Sequence, residues 1–252
     1  MPKIRLGKWQ FWLLSIGLIL LLGATLKVFT MGQPSTRSSE LATTKLAPEP
    51  QALAAGTDRQ PLTTDEIYQR VNPAVVTIYT AQGVGAGSIV RSDGLVLTNR
   101  HVVQNAPEVK IKTANGESFV GKVIDLDLRY DLALLQLRGP SRHLPTVTFA
   151  STSQLKLGDL VFAIGSPAGK SGVFTTGTFT RLTQHGSLQT SAGLLSEGNS
   201  GGPLLNRHGE VIGINKGVLT DRSGLATSIE AAKALIQRHD VIYKRQNSTI
   251  QS

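Results

Sequence analysis

The decisive stretch of the sequence, residues 198–203, reads Gly-Asn-Ser-Gly-Gly-Pro. Ser200 lies in this glycine-rich stretch, well downstream of His101 and Asp131. A serine hydroxyl is almost inert until an imidazole takes its proton and a third group orients that imidazole. The order histidine, aspartate, serine therefore predicts a catalytic triad. Ser200 would be the nucleophile, His101 the general base and acid, and Asp131 the group that orients His101.

Each of these residues also has a purely structural interpretation. A single histidine is more often structural than catalytic, an aspartate at a strand start caps a turn, and a serine among glycines marks a tight bend. The combination favours catalysis, because a glycine-lined turn lets two backbone N–H groups converge on one point. We predict that the amides of Gly198 and Ser200 form an oxyanion hole.

The sequence around these residues consists mainly of short apolar runs separated by turn signals. Asp93-Gly94 and Asn115-Gly116 each lie between two such runs and predict β-hairpins. A helix start is indicated at residues 63–66, and a sustained helical pattern occurs only at about residues 229–243. A break near residues 138–141 separates two sets of about six strands. This pattern predicts an all-β fold of barrels or a sandwich.

The N-terminal part of the chain has a different character. Basic residues precede an apolar run at about residues 9–30 that only Lys27 interrupts. A transmembrane helix needs about 20 mostly apolar residues, and a basic flank favours a cytoplasmic N-terminus. We predict a transmembrane signal-anchor at residues 1–31, a disordered linker at 32–62 and an extracytoplasmic domain at 63–252. The alternatives are a cleaved signal peptide, which would release a secreted protein, and, less favoured, a buried core helix.

Composition excludes several other functions. The formal charge is +9, but the domain shows no basic stripe or reading motif, so we expect no nucleic-acid partner. Cysteine is absent, which excludes disulfides and zinc–thiolate sites. The five histidines lack metal-ligand spacing, so we expect no metal or cofactor.

Two other motifs fit less well. The glycines at residues 83–87 suggest a phosphate loop, but a strand rather than a helix follows them. Residues 198–202 also fit the nucleophile elbow of α/β hydrolases, with Asp221 and His239 as partners of Ser200. That fold needs alternating strands and helices, so a serine esterase of this type is a distant alternative.

Several stretches together carry a family resemblance. They are residues 68–76, YQRVNPAVV; 85–88, GAGS; 97–103, LTNRHVV; 131–135, DLALL; 163–167, AIGSP; 198–204, GNSGGPL; and 211–215, VIGIN. Over about residues 66–237 the chain resembles the trypsin-like serine proteases of the HtrA (Deg) family.

The resemblance implies two six-stranded β-barrels of the chymotrypsin/trypsin type, at about residues 73–138 and 145–228, with a C-terminal helix at about 229–243. It places the triad in the cleft between the barrels. It also implies endopeptidase activity on misfolded extracytoplasmic proteins, a role in protein quality control, protein or peptide substrates and no metal. The resemblance also raises the expectation of a homotrimer, since family members often trimerise.

Some residues depart from the family pattern, and others are expected to decide which substrate side chains are accepted. By resemblance, Leu194 lies at the floor of the pocket for the substrate side chain before the cleaved bond, where it would favour a small or medium apolar group. Ile214, Asn215 and Lys216 would run beside the substrate backbone, and the charge of Lys216 would favour acidic side chains. Ser191 stands where the family often has aspartate, which puts the family's stabilisation of the serine loop in doubt. We expect no PDZ domain after the protease domain.

A second function of a different class is a protease fold whose site is latent. Function is a property of sites rather than of folds, and an intact triad in sequence does not guarantee an assembled oxyanion hole. The alternative is therefore a binding or chaperone-like module.

Overall fold

The computed structural model describes residues 60–140 and 143–250 of the 252-residue chain. The predicted anchor and, apart from residues 60–62, the predicted linker lie outside the described residues. Within the described ranges, no helix combines the length and apolar character needed to cross a membrane.

The first helix, α1 (Thr64–Val71), begins with a capping box. The Thr63 hydroxyl accepts a hydrogen bond from the Glu66 N–H, and the Glu66 carboxylate accepts one from the Thr63 N–H at 2.8 Å. This pair satisfies two N–H groups that a helix N-terminus otherwise leaves unpaired. Ile67 and Val71 are buried and fix the helix to the domain.

Six antiparallel strands form the first closed barrel in the order β1-β2-β3-β6-β5-β4. They are β1 (Val75–Thr80), β2 (Gly83–Arg91), β3 (Leu95–Asn99), β4 (Glu108–Thr113), β5 (Ser118–Asp127) and β6 (Leu132–Leu137). A one-turn helix, α2 (Arg100–Val103), follows β3. Gly94 (φ 94°) and Gly116 (φ 91°) occupy the left-handed region in the two predicted hairpin turns. Both hairpin predictions are confirmed.

Six further strands close the second barrel in the order β10-β11-β12-β9-β8-β7. They are β7 (Leu160–Gly165), β8 (Val173–Leu182), β9 (Ser187–Ala192), β10 (Pro203–Leu205), β11 (Val211–Val218) and β12 (Ser223–Ser228). The last helix, α3 (Ile229–Ile250), follows β12 directly. The prediction of two six-stranded barrels is confirmed, and the sandwich alternative is wrong.

Three apolar clusters hold this architecture together. One fills the first barrel and one fills the second. The third, which we call the shared core, takes side chains from both barrels and from α1 and α3. Side chains alternate in direction along a strand, so β3 and β6 can serve two clusters. Leu97 and Leu134 face the shared core, whereas Val96 and Leu135 face the interior of the first barrel.

Several element bounds differ from the predictions. Helix α3 continues to Ile250 instead of ending near Tyr243, because polar helix formers such as Lys, Arg and Gln extend it past the last apolar position. Strand β5 continues to Asp127, and its charged residues and a register shift between Val123 and Asp125 interrupt the alternation of apolar and polar residues that marks a strand in sequence. The second barrel begins at Leu160 rather than near residue 145.

Candidate active site

His101 and Asp131 lie at neighbouring ends of two paired strands. β3 and β6 pair with Asn99 opposite Leu132. His101 follows β3 on the one-turn helix α2, and Asp131 directly precedes β6. Asp131 has φ 57°, a left-handed conformation that aspartate tolerates better than most residues. Strand pairing therefore brings together two residues that are 30 positions apart.

The Asp131 carboxylate binds His101 through both oxygens. Nδ1 of His101 lies 2.6 Å from Oδ2 of Asp131, and the His101 backbone N–H donates to Oδ1 at 3.0 Å. The Asp131 carbonyl oxygen accepts from the Asn99 side-chain amide and the Arg100 backbone N–H, each at 3.0 Å. With Nδ1–H donating to the carboxylate, Nε2 of His101 is left with the lone pair that a general base needs.

The Asp131 carboxyl stays ionised to unusually low pH. Its side chain is only 13% exposed, and burial by itself raises its pKa. The hydrogen bond from the His101 side chain, the charge of His101, the His101 backbone N–H and the charge of Lys216 together outweigh burial. The pKa of Asp131 therefore lies below its ordinary value of 3.8.

The loop that carries Ser200 is fixed at several points of both barrels. The Ser200 carbonyl oxygen accepts from Ala86 N–H of the first barrel at 2.8 Å. The Gly201 N–H donates to the backbone carbonyl oxygen of Asn215, in β11, at 2.8 Å. Gly201 has φ 85°, and a Cβ there would lie 2.1 Å from Oγ1 of Thr98 and 2.2 Å from the Ala86 oxygen. The turn therefore requires glycine at this position, both for its backbone angle and for space.

Two amides of this loop are available to bind a negative oxygen. Among the residues that the structure describes, the N–H groups of Gly198 and Ser200 have no hydrogen-bond partner. The Gly198 carbonyl, by contrast, accepts from Ser166 N–H at 3.0 Å, which fixes the peptide before Asn199. Gly198 has φ 91°, and a Cβ there would lie 2.7 Å from Cα of Pro167. These are the two amides predicted for the oxyanion hole.

The Ser200 hydroxyl does not form a hydrogen bond with His101 in this structure. Oγ of Ser200 donates to the carbonyl oxygen of Lys216 at 3.1 Å. Lys216 lies where the pairing of β11 with β12 shifts register, between Asn215 and Gly217. The hydroxyl must therefore turn away from β11 before His101 can take its proton.

His101 and Ser200 nevertheless line one cleft, a cavity of about 260 Å³. Its other lining residues are Thr80, Gln82, Gly83, Val84, Val102, Gln104, Glu197 and Gly198. The exposed carboxylate of Glu197 directly precedes the loop glycine Gly198. Sequence reasoning did not identify Glu197 as a lining residue, although its position next to Gly198 was the available signal.

The predicted substrate-contact residues are mostly buried. Leu194 is 1% exposed and packs in the core of the second barrel. Ile214 and Asn215 are both 0% exposed; Ile214 belongs to the shared core, and the Asn215 amide donates to the Pro203 carbonyl at 3.0 Å. Only Lys216 keeps a partly exposed side chain. In this conformation the first three residues expose almost no surface to a substrate.

The alternative triad finds no support in the contacts of its members. The Asp221 carboxylate accepts hydrogen bonds from the backbone N–H and hydroxyl of Ser223. Nδ1 of His239 lies 3.9 Å from Asp125 of the first barrel. Neither residue lines the cleft with Ser200. Within residues 60–140 and 143–250, no group of His, Asp or Glu residues is arranged to hold a metal ion.

Two closed barrels, with the histidine and aspartate on one and the serine on the other, define the class of trypsin-like peptidases. A family model described as "Trypsin-like peptidase domain" matches residues 85–214, a range that includes His101, Asp131 and Ser200. The chain therefore belongs to the trypsin-like peptidase family.

Similar proteins carry names of the HtrA and DegP type. "Putative serine protease HhoB" of Synechocystis sp. is 38% identical over 159 residues, which cover 59% of this chain and 38% of that protein. "Probable periplasmic serine endoprotease DegP-like" of Pseudomonas putida is 42% identical over 151 residues, 57% of this chain and 31% of the relative. "Serine protease HTRA1A" of Danio rerio is 34% identical over 209 residues, 73% and 43% respectively. The chain thus spans less than half the length of each of these relatives.

The lowered pKa of Asp131 predicts an acid-dependent contribution to stability. Because the folded-state pKa of Asp131 lies below 3.8, its ionised carboxylate adds to the free energy of unfolding above pH 3.8. This added stability is lost as the pH falls towards the folded-state pKa. Asp131→Asn removes the titrating group. We expect the difference in urea midpoint between the wild type and this variant to narrow from pH 5 to pH 3. A difference that stays constant over this range would contradict the assignment.

Proposed function

We propose that the chain is a serine endopeptidase that cleaves peptide bonds through a triad of Ser200, His101 and Asp131. The observation that carries this proposal is the 2.6 Å contact between His101 and Asp131 in the cleft that Ser200 also lines. The names of the relatives, which are serine proteases, support it.

The residues divide the chemistry as follows. Nε2 of His101 takes the Ser200 proton as Oγ attacks the carbonyl carbon, and the Gly198 and Ser200 amides hold the resulting oxyanion. His101 then gives that proton to the leaving amine, and an ester to Ser200 remains. A water molecule, deprotonated by the same imidazole, hydrolyses the ester and regenerates Ser200. Asp131 remains ionised throughout and stabilises the imidazolium form of His101.

One observation favours the second candidate, a latent binding or chaperone-like module. The Ser200 hydroxyl is bonded to the Lys216 carbonyl rather than to His101. Catalytic hydrogen bonds are often absent before substrate binds, so this geometry is compatible with activity as well. The two candidates differ in one measurable property, the reactivity of Ser200.

The first test compares the full-length wild type with Ser200→Ala. We expect a serine-reactive fluorophosphonate to label the wild type alone, and we expect only the wild type to cleave an unfolded protein substrate. The hydroxyl is the nucleophile, so its loss leaves no group to form the acyl-enzyme. Hydrolysis that persists in a clean Ser200→Ala preparation would refute the assignment. A folded wild type with no labelling, but with substrate binding, would establish the latent module.

For substrate choice, we propose that Lys216 favours acidic side chains. Its ammonium group acts on the pKa of Asp131, which places a positive charge near the triad. The preference for substrate side chains is set by a balance between this positive charge and the exposed carboxylate of Glu197, which lines the cleft of His101 and Ser200.

Lys216→Thr tests this preference through a ratio of rates. We expect the ratio of kcat/KM for an acidic peptide over its neutral counterpart to fall several-fold, and this change to shrink at high salt, because salt screens exposed charges. Taking a ratio cancels any general effect on Asp131. Lys156→Thr is the control, since it removes the same charge from an exposed site that is not among the groups acting on the pKa of Asp131. An unchanged ratio in Lys216→Thr would end the proposal.

For location, we propose a single-pass membrane protein with its N-terminus in the cytoplasm and its protease domain outside it, acting on unfolded or damaged proteins. The basic residues before the apolar run at residues 9–30 support this orientation. A relative from Pseudomonas putida is named a periplasmic endoprotease, which supports an extracytoplasmic domain. Release after signal cleavage is the alternative.

Fractionation of cells that express the full chain tests the location. We expect the membrane fraction to contain the chain at its full mass. We also expect a protease added outside the cytoplasmic membrane to digest the domain at residues 63–252. A variant without residues 1–31 should stay in the cytoplasm. A shortened, soluble extracytoplasmic product would favour secretion, and an intact cytoplasmic product would contradict both.

A further inference from the structure

Helix α3 follows the second barrel in sequence, but the middle of the helix contacts the first barrel. Arg238 of this helix contacts the end of β5. One guanidinium nitrogen (Nη1) lies 3.2 Å from Oδ2 of Asp127, and the other (Nη2) lies 3.2 Å from Oδ1 of Asp125. Nη2 also donates to the Leu126 carbonyl at 3.3 Å. Three acceptors thus hold one side chain, and the two carboxylates are only 20% and 14% exposed.

The Asp127 carboxylate connects this contact to the catalytic aspartate. While Oδ2 faces Arg238, Oδ1 accepts the backbone N–H of Tyr130 at 3.0 Å. Tyr130 directly precedes Asp131. Its carbonyl accepts from the Thr227 hydroxyl, also at 3.0 Å. Tyr130, the residue that leads into Asp131, is therefore fixed on both sides, by Asp127 at its N–H and by Thr227 at its carbonyl.

The backbone of Asp131 needs such constraints. A non-glycine residue at φ 57° is in a sparsely populated conformation that persists only when the surroundings hold it. Arg238 restricts the rotation of the Asp127 carboxylate, which in turn fixes the Tyr130 N–H. Burial lowers the pKa of Arg238, but its bonds to Asp125 and Asp127 raise it by more, so the guanidinium keeps its charge.

We propose that Arg238 is a positioning residue for Asp131, acting through the Asp127 carboxylate and the Tyr130 N–H. The inference rests on the proposed function, because it assigns Arg238 a role in orienting the pair Asp131 and His101. It gives the C-terminal helix a part in catalysis although the helix does not line the cleft.

Asp240 offers a matched control on the same helix. It binds Arg91 of β2 at 2.8 Å, so it also connects α3 to the first barrel, but it makes no contact with the segment before Asp131. Asp125→Asn is a second control, since it weakens the hold on Arg238 but leaves the Asp127 link to Tyr130 in place.

The experiment compares four full-length variants in detergent micelles: Arg238→Gln, Arg238→Lys, Asp240→Asn and Asp125→Asn. For Arg238→Gln we expect kcat to fall roughly fivefold with KM unchanged, the size expected when a partly exposed charged contact that orients a catalytic group is lost. Arg238→Lys should recover most of the loss, and Asp240→Asn should leave kcat unchanged. Asp125→Asn should have a smaller effect than Arg238→Gln.

A second measurement does not depend on activity. The downfield proton resonance of His101 Nδ1–H reports its hydrogen bond to Asp131. We expect it to broaden in Arg238→Gln and to persist in Asp240→Asn. If Arg238→Gln and Asp240→Asn change kcat and the resonance equally, the positioning role is wrong. Arg238 would then only anchor helix α3 to the first barrel, as Asp240 does. If the wild type cleaves no substrate, the proposed function fails, and the resonance alone decides the role of Arg238.

Discussion

The shared core between the two barrels is the constraint on which the site depends. Strands β3 and β6 are buried on both faces, with Leu97 and Leu134 turned towards the second barrel. His101 follows the first of these strands and Asp131 precedes the second. Leu205, at the end of the strand that follows the Ser200 loop, packs in the same cluster. Burial of apolar surface therefore fixes His101 and Ser200 relative to each other.

Two glycines allow the serine loop and the first barrel to approach each other closely. Gly85 lies against the Ser200 carbonyl, and Gly201 against Thr98 and Ala86. Residues of the first barrel and of the serine loop, more than 100 positions apart in the sequence, thus occupy one small volume where a methyl group does not fit. An added side chain at either glycine would push the serine loop and the first barrel apart, because it would meet a backbone oxygen of the other element as well as a side chain.

Sequence reasoning succeeded where a local pattern has one physical meaning. Asp93-Gly94 permits the left-handed hairpin turn, and Thr63 with Glu66 forms a capping box, so the neighbouring elements follow. Features that long-range packing decides lie outside such local patterns. The burial of Leu194, the position of Glu197 in the cleft and the contact of Arg238 with Asp127 depend on how separate elements meet. Nothing in the residues near Arg238 identifies its partners in β5.

The orientation of the Ser200 hydroxyl also escapes sequence reasoning, and its energy bears on the choice between an active and a latent site. A neutral hydrogen bond such as that to the Lys216 carbonyl contributes only about 0.5–1.5 kcal/mol net. Breaking it before attack would slow catalysis by roughly tenfold at most, since about 1.4 kcal/mol corresponds to a factor of ten in rate.

A latent site needs a much larger barrier, such as a misplaced oxyanion hole. The Gly198 and Ser200 amides, however, have no partner among the described residues and both belong to the loop beside His101. The serine orientation alone is therefore too weak to inactivate the site, and the balance of energies favours the proposed peptidase over the latent module.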